Sequence, residues 1–319
     1  MFFKGKIIAP VFARVAYAVL KLVGWKRGTV LANAKHVAGA FPQAIPAAFS
    51  TASNAAPDAS NAAPDASAVA PVNYDELLIN LTRHASELLF RFGTFKKLPH
   101  DFTAYPCCVD GWDFDIAEGA APVLEKMRKG GIFLTAHYGN YEAMGPWLCR
   151  LGIPLVASYI PVKPKWLNNI LERKIRAVDG RSYSVDARTP RDFLRILNDG
   201  KLFCLLSDQD SRIPSAIDGT LLGQPANVNP LPDFLLKHRP QTPVFICWME
   251  ERSASPEDAS LKCASLKKVR VLHAIEVEGP RILEKFNKWL EERIRENPNL
   301  WYSFTHRRFY SQSPEIYGE

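Results

Sequence analysis

The sequence predicts an α/β domain with a mixed, partly parallel sheet flanked by helices, preceded by an N-terminal helix suited to a membrane surface. Three observations carry this reading. Short apolar runs of strand length, Ile132–Ala136, Leu202–Ser207 and Pro243–Met249, are separated by segments with helical apolar spacing, an alternation that builds sheets with crossover helices. An apolar fraction of 47% over 319 residues is enough for a full-sized core. The stretch before Trp25 combines apolar periodicity with basic residues.

From the amino terminus, the apolar stretch Ile7–Trp25 is interrupted by Arg14 and Lys21 before it reaches the roughly 20 residues that cross a bilayer. Ile7, Ile8, Val11, Phe12, Val15, Val19 and Leu20 recur at helical spacing among Lys4, Lys6, Arg14, Lys21 and Lys26. This predicts an interfacial, membrane-associated helix over residues 1–26, with a tilted, snorkelling anchor or a helix packed on its own domain as alternatives. No small-residue cleavage site follows, so no removable signal peptide is expected. Residues 27–73 read as a connecting segment. Within it, Ala44–Pro71 is rich in Ala, Ser, Pro, Asn and Asp, and NAAPDAS at Asn54–Ser60 is repeated at Asn61–Ser67. Such a composition cannot bury apolar area and predicts a disordered linker.

Residues 74–319 read as the main domain. Its helices are expected over Tyr74–Phe92, Ile116–Lys129, Tyr141–Leu151, Lys165–Val178, Pro190–Leu197 and Ile282–Arg295; its strands over Ile132–Ala136, Pro154–Tyr159, Leu202–Ser207, Pro243–Met249 and Val269–Val277. Ligands of open α/β sheets sit beyond the carboxyl ends of the strands, where His137, Tyr159 and Asp208 fall.

The formal charge of +7 suits anionic partners such as phospholipid headgroups, acidic carrier proteins or nucleic acid, without choosing among them. The six cysteines lack the C-x-x-C spacing of a zinc site or a redox dithiol, and most lie in apolar runs. A reduced set in a cytoplasm-facing location and no metal site are expected. His36, His84, His100, His238 and His273 have no carboxylate or cysteine at ligand spacing and read as structural or surface residues.

Gly131–Gly145, GIFLTAHYGNYEAMG, runs from a buried strand into His137, a turn over Tyr138, Gly139 and Asn140, and Glu142 at a helix start. A hydroxyl attacking an acyl carbonyl needs a base, and the base needs an acceptor to hold its tautomer. His137 as base with Glu142 folded back onto its ring meets both needs, and the turn's N–H groups lie where an oxyanion can be stabilised.

HYGNYE resembles the H-F-G-N-W-E type signature of the bacterial lipid A late acyltransferases, a branch of the lysophospholipid acyltransferase superfamily. Further stretches are similar in order: Tyr159–Arg176 (YIPVKPKWLNNILERKIR), Ser207–Asp210 (SDQD), Leu222–Ala226 (LGQPA) and Asn297–Phe309 (NPNLWYSFTHRRF). The resemblance covers roughly Leu77–Phe309. It departs at Leu222, where an aromatic residue is usual; in a basic block shifted by about one residue, leaving Arg173 and Arg176 as rivals with Arg176 favoured; and in the linker, which has no counterpart.

The resemblance implies a glycerolipid acyltransferase-like fold. It also implies transfer of a fatty acyl chain from an acyl carrier protein thioester to a hydroxyl of a membrane glycolipid such as a lipid A precursor, by a His137/Glu142 dyad without an acyl-enzyme. The enzyme would need no cofactor, and would work at the cytoplasmic face of a bacterial inner membrane in lipopolysaccharide biosynthesis. Gly139, Asn140, Tyr159, Lys163, Arg173, Arg176, Asp208, Gln209, His306, Arg307 and Arg308 are the expected substrate-binding residues. Lys163, Lys165, Arg173, Lys174 and Arg176 form a basic patch for an anionic lipid or the carrier protein, and His306–Arg308 a phosphate clamp or a basic end. Expected partners are acyl carrier protein, an anionic glycolipid and the membrane surface, with no nucleic acid. Other acceptors (a lysophospholipid, a phosphatidylinositol mannoside, an ornithine lipid) or a non-catalytic lipid-binding role are the alternatives. No G-x-S-x-G elbow, GxGxxG or P-loop is present.

Overall fold

The computed structural model describes residues 2–40, 71–159, 161, 163–186, 188–253 and 268–318, so most of the low-complexity segment lies outside the described residues. The helices are α1 (Phe2–Leu22), α2 (Arg27–Ala40), α3 (Tyr74–Phe95), α4 (Ala120–Met127), α5 (Tyr141–Arg150), α6 (Lys165–Ile170), α7 (Pro190–Asn198), α8 (Leu231–His238) and α9 (Ile282–Glu296). The strands are β1 (Cys107–Val109), β2 (Trp112–Ile116), β3 (Gly131–Thr135), β4 (Leu155–Ser158), β5 (Ala177–Val178), β6 (Arg181–Ser182), β7 (Ser184–Val185), β8 (Leu202–Leu206), β9 (Ile217–Leu221), β10 (Gln224–Val228), β11 (Val244–Ser253) and β12 (Lys268–Glu276).

Eight strands form the main sheet in the order β1-β2-β12-β11-β3-β8-β4-β7, with β9–β10 and β5–β6 as separate hairpins. From β11 through β3, β8 and β4 to β7 every pairing is parallel, while β11–β12 and β1–β2 are antiparallel. The central strands are apolar throughout because both faces are covered. Successive side chains of a strand point to opposite faces. Accordingly Ile132, Leu134, Phe203, Leu205, Val244 and Ile246 pack into one core with α2, α3, α8 and α9, whereas Phe133, Leu202, Cys204, Phe245 and Cys247 pack into the other with α4 and α5. The entry to β3 requires glycine. Gly131 has φ +139°, and a Cβ there would stand 2.7 Å from the Pro243 carbonyl oxygen.

Several elements depart from expectation for local reasons. The helix expected from Ile116 starts at Ala120, because β2 takes Trp112–Ile116 and pairs in parallel with β12. The helix expected over Lys165–Val178 stops early. Leu171–Ile175 widens to a π turn, and Asp179 and Gly180, both at positive φ, reverse the chain into the β5–β6 hairpin. Arg27–Ala40 forms α2 within the expected connecting segment. Among the described cysteines, Cys107, Cys149, Cys204 and Cys247 are free.

Helix α1 lies against α3, tied by Ser86 Oγ donating to the Ala9 carbonyl and by Lys21 with Asp75 at 2.8 Å. Its side facing away from the body exposes Ile8, Val11, Phe12, Val15 and Val19. Among the described residues no single helix is long and apolar enough to cross a membrane; Ile8–Leu22 with Arg27–Ala38 meets the length and composition test only as a pair bent by 81°.

Candidate active site

Adjacent parallel strands fix the site. In the β3–β8 ladder Gly131 faces Leu202 and Thr135 faces Leu206. The Ser207 N–H donates to Thr135 O at 3.1 Å, and the same offset carried past the strand ends sets His137 opposite Asp208. The ring's Nδ1 lies 2.8 Å from Asp208 Oδ1, and the His137 backbone N–H donates to Oδ2 at 3.1 Å. Oδ2 also accepts from Trp301 Nε1 at 2.9 Å and Ser303 Oγ at 2.6 Å.

Asp208 has no exposed side chain. Burial opposes its charge, but the His137 ring and the donated hydrogen bonds outweigh it and hold the carboxyl far below the usual carboxylate range. An ionised carboxylate only accepts, so Nδ1 carries the ring proton and Nε2 is the basic nitrogen. For His137, burial favours the neutral ring, yet the charge and hydrogen bond of Asp208, with a smaller contribution from Glu142, raise its pKa above 6.5.

Glu142 does not hold the ring. From the first turn of α5 it accepts from Arg176 Nη2 at 2.7 Å and Nε at 3.4 Å, and no hydrogen bond joins it to His137. The expected His137–Glu142 bond is therefore corrected to His137–Asp208, with Glu142 engaged by a half-buried guanidinium. Arg173 is exposed and Arg176 alone of the two reaches the site, where it lies over the Tyr159 ring.

These groups line a cavity of about 270 Å³ under α5. Phe133, Met144, Leu155, Cys204 and Leu206 make its apolar wall; His137, Glu142, Tyr159, Arg176 and Tyr183 are polar. Tyr183 is buried with no partner for its hydroxyl among the described residues, and Tyr141 packs edge-on to the His137 ring. A larger cleft of about 620 Å³ opens beside Gly130, Gly131 and Pro243, at the amino end of β3 and away from His137.

The turn after His137 is clamped from both sides. Gly139 has φ +58°, donates to Leu300 O at 2.9 Å, and has the Met249 carbonyl oxygen 3.2 Å from where a Cβ would be. The Tyr302 N–H donates to His137 O at 2.8 Å, and Tyr138 bridges Trp301. Asn140 is buried and donates to Glu87 at 3.0 Å. Behind the closing segment, the buried Asn33 of α2 donates to the Phe304 and His306 carbonyls. His84 is fixed too. Arg83 can only donate to its Nε2, so Nδ1–H bonds Tyr302 Oη at 2.5 Å, and burial pushes its pKa down to about 3.

The remaining expected residues do not gather at the cavity. Lys163 is exposed and Gln209 half-buried, neither lining it. His306, Arg307 and Arg308 do not form one clamp, because a tight turn sends them three ways. The His306 ring is 6.3 Å from that of His137; Arg307 is exposed over Tyr310 and Tyr317; Arg308 is fully buried, donating to Asn227 O at 3.2 Å within the field of Asp208 and Asp210. No cluster of His, Cys, Asp and Glu suited to a metal occurs among the described residues.

Ser303 supplies a hydrogen bond that sequence spacing does not reveal. Ser303→Ala should destabilise the fold by about 1–3 kcal/mol, as expected for a lost bond to a buried charge, read as a lower midpoint in urea denaturation. It should also shift Asp208 and His137 without removing either. No family model and no curated protein matches the chain.

Proposed function

We propose that the chain is an O-acyltransferase. In this reading it moves a fatty acyl group from an acyl carrier protein thioester to a hydroxyl of a membrane glycolipid such as a lipid A precursor, at the cytoplasmic face of a bacterial inner membrane. The observation that carries it is a base with a fixed tautomer at a half-apolar cavity: His137 bonded to a fully buried Asp208, facing an aliphatic and aromatic wall. The motif resemblance supports the choice of acyl donor and acceptor.

The steps follow from the tautomer. Nε2 takes the proton of the acceptor hydroxyl as its oxygen attacks the thioester carbonyl, and Asp208 stabilises the resulting imidazolium. The tetrahedral oxyanion collapses, the C–S bond breaks, and the leaving thiolate takes the proton from Nε2. The ester, the free thiol and the neutral ring remain, with no acyl-enzyme. Arg176, held by Glu142, offers a fixed positive charge suited to the oxyanion or to an acceptor phosphate.

The test is transfer of a labelled acyl chain from carrier protein to a panel of lipid acceptors separated by thin-layer chromatography. Label on the glycolipid precursor is the expected result. Label on a lysophospholipid alone would replace the acceptor, and no transfer to any hydroxyl would remove the reading.

Membrane association would rest on the exposed apolar side of α1, where Val15 is 57% and Val19 53% accessible. Val15→Asp with Val19→Asp should release the chain from sedimented vesicles while leaving its melting temperature nearly unchanged, since neither side chain is in the core. Truncation is a poorer test, because removing α1 uncovers α3.

A further inference from the structure

A second cavity, of about 610 Å³, lies between α1, α3 and the β2–β12–β11 side of the sheet and shares no lining residue with the His137 cavity. Its charges do not balance. Arg14, Arg83, Arg91, Lys268 and Arg270 line it against two carboxylates, Glu87 and Glu251, an excess of three positive charges. The carboxylates are already taken. Glu251 receives both its 2.8 Å bonds from Arg83, and Arg270 reaches Glu87 at 3.1 Å and Glu251 at 3.2 Å.

Arg14 has no ion pair among the described residues, and Arg91 donates only to a backbone carbonyl. The nearly fully buried Arg270 leaves its Nε without a hydrogen-bond partner among the described residues. Arg91 and Arg270 lie 3.5 and 3.6 Å from the centre of the Trp112 ring, so they occupy its opposite faces. Burial, and then the Arg270 charge, push Arg91 down to about 10. Arg270 is met by Glu87 and Glu251, but the half-buried Arg91 and the exposed Arg14 face the cavity with no carboxylate of their own among the described residues.

Part of the lining is apolar, Ala9, Pro10 and Ala13 of α1 and Ile79 of α3, beside the hydroxyl-bearing Tyr17, Thr82 and Ser86. The wall continues outward, since exposed Phe12 packs edge-on against exposed Phe90. An inorganic anion would use the cations and waste this wall.

We propose that this cavity binds the phosphate of an anionic membrane lipid between Arg14, Arg91 and Arg270, with the lipid's acyl chain leaving along the exposed apolar side of α1. The site abuts the catalytic turn, because Glu87 bonds Arg270 through one oxygen and Asn140 through the other. It does not depend on the acyl-transfer reading, and its test reads no turnover.

The test uses the full chain in mild detergent, with retained lipid counted by native mass spectrometry. The probes are phosphatidylglycerol, phosphatidylcholine and inorganic phosphate. The parent should keep one phosphatidylglycerol in preference to phosphatidylcholine. Arg14→Gln with Arg91→Gln, which strands no carboxylate, should lose about tenfold in retention, equivalent to ~1.4 kcal/mol, with an unchanged circular-dichroism spectrum. Arg195→Gln with Lys201→Gln removes the same charge from exposed positions elsewhere and should retain lipid like the parent. Equal loss in both double variants, or no loss in the first, would overturn the proposal. So would thermal stabilisation by inorganic phosphate that the first variant abolishes while no lipid is retained, since that result describes an ion site.

Discussion

Asp208→Asn should slow acyl transfer by ~10⁴-fold, the scale of the same change in a comparable His–Asp arrangement, in a chain that still folds. Atom placement explains the size. Oδ2 accepts from the His137 backbone N–H, Trp301 and Ser303, while Oδ1 alone faces the ring. An asparagine keeps its oxygen toward the three donors and turns its NH₂ toward Nδ1. Nδ1 must then accept, the ring proton moves to Nε2, and the basic nitrogen is lost. Measured on folded protein at saturating thioester, the loss should fall on kcat. The linkage is also defined. With its folded pKa far below the unfolded value, Asp208 contributes stability above the ordinary carboxylate range, lost as pH falls toward its folded pKa. The variant should therefore lose much of the acid dependence of folding.

His137→Ala should cost at least about 10²-fold in turnover, the contribution of a positioned general base, and leave a folded chain. The ring is 22% exposed and Asp208 keeps three other hydrogen bonds when it is gone. Activity within a few fold of the parent would remove His137 as base. The raised ring pKa favours the protonated ring in the fold, so this contribution to stability is present below pH 6.5 and lost as pH rises through the folded pKa. Alanine should flatten that dependence.

The elements that position the site were readable where periodicity is strong. Apolar runs gave β3, β8 and β11, and HYGNYE gave the turn with His137 beyond the strand end. Pairing between strands was not readable. Asp208 and His137 are each the first acid or base after an apolar strand, a usable signal, but only the β3–β8 register makes them neighbours. A motif spacing of His, four residues, then Glu suggested a contact that the helix start defeats by turning Glu142 to Arg176. Trp301, Ser303 and Asn33 act across long chain separations that carry no local pattern. The basic run His306–Arg308 looked like one patch because a linear sequence does not show a turn.

The most direct test of the account is the acid limb of the pH–rate profile for the parent, Asp208→Asn and Glu142→Gln at saturating thioester. A neutral His137 is required for turnover, so the parent should gain activity through an apparent pKa above 6.5. In Asp208→Asn the residual activity should titrate at lower pH, because the main charge raising the ring is gone. In Glu142→Gln the limb should move down only slightly, since that carboxylate acts on the ring through space and belongs to Arg176. A limb that stays in place without Asp208 and collapses without Glu142 would contradict the His137–Asp208 pair and return the role to Glu142.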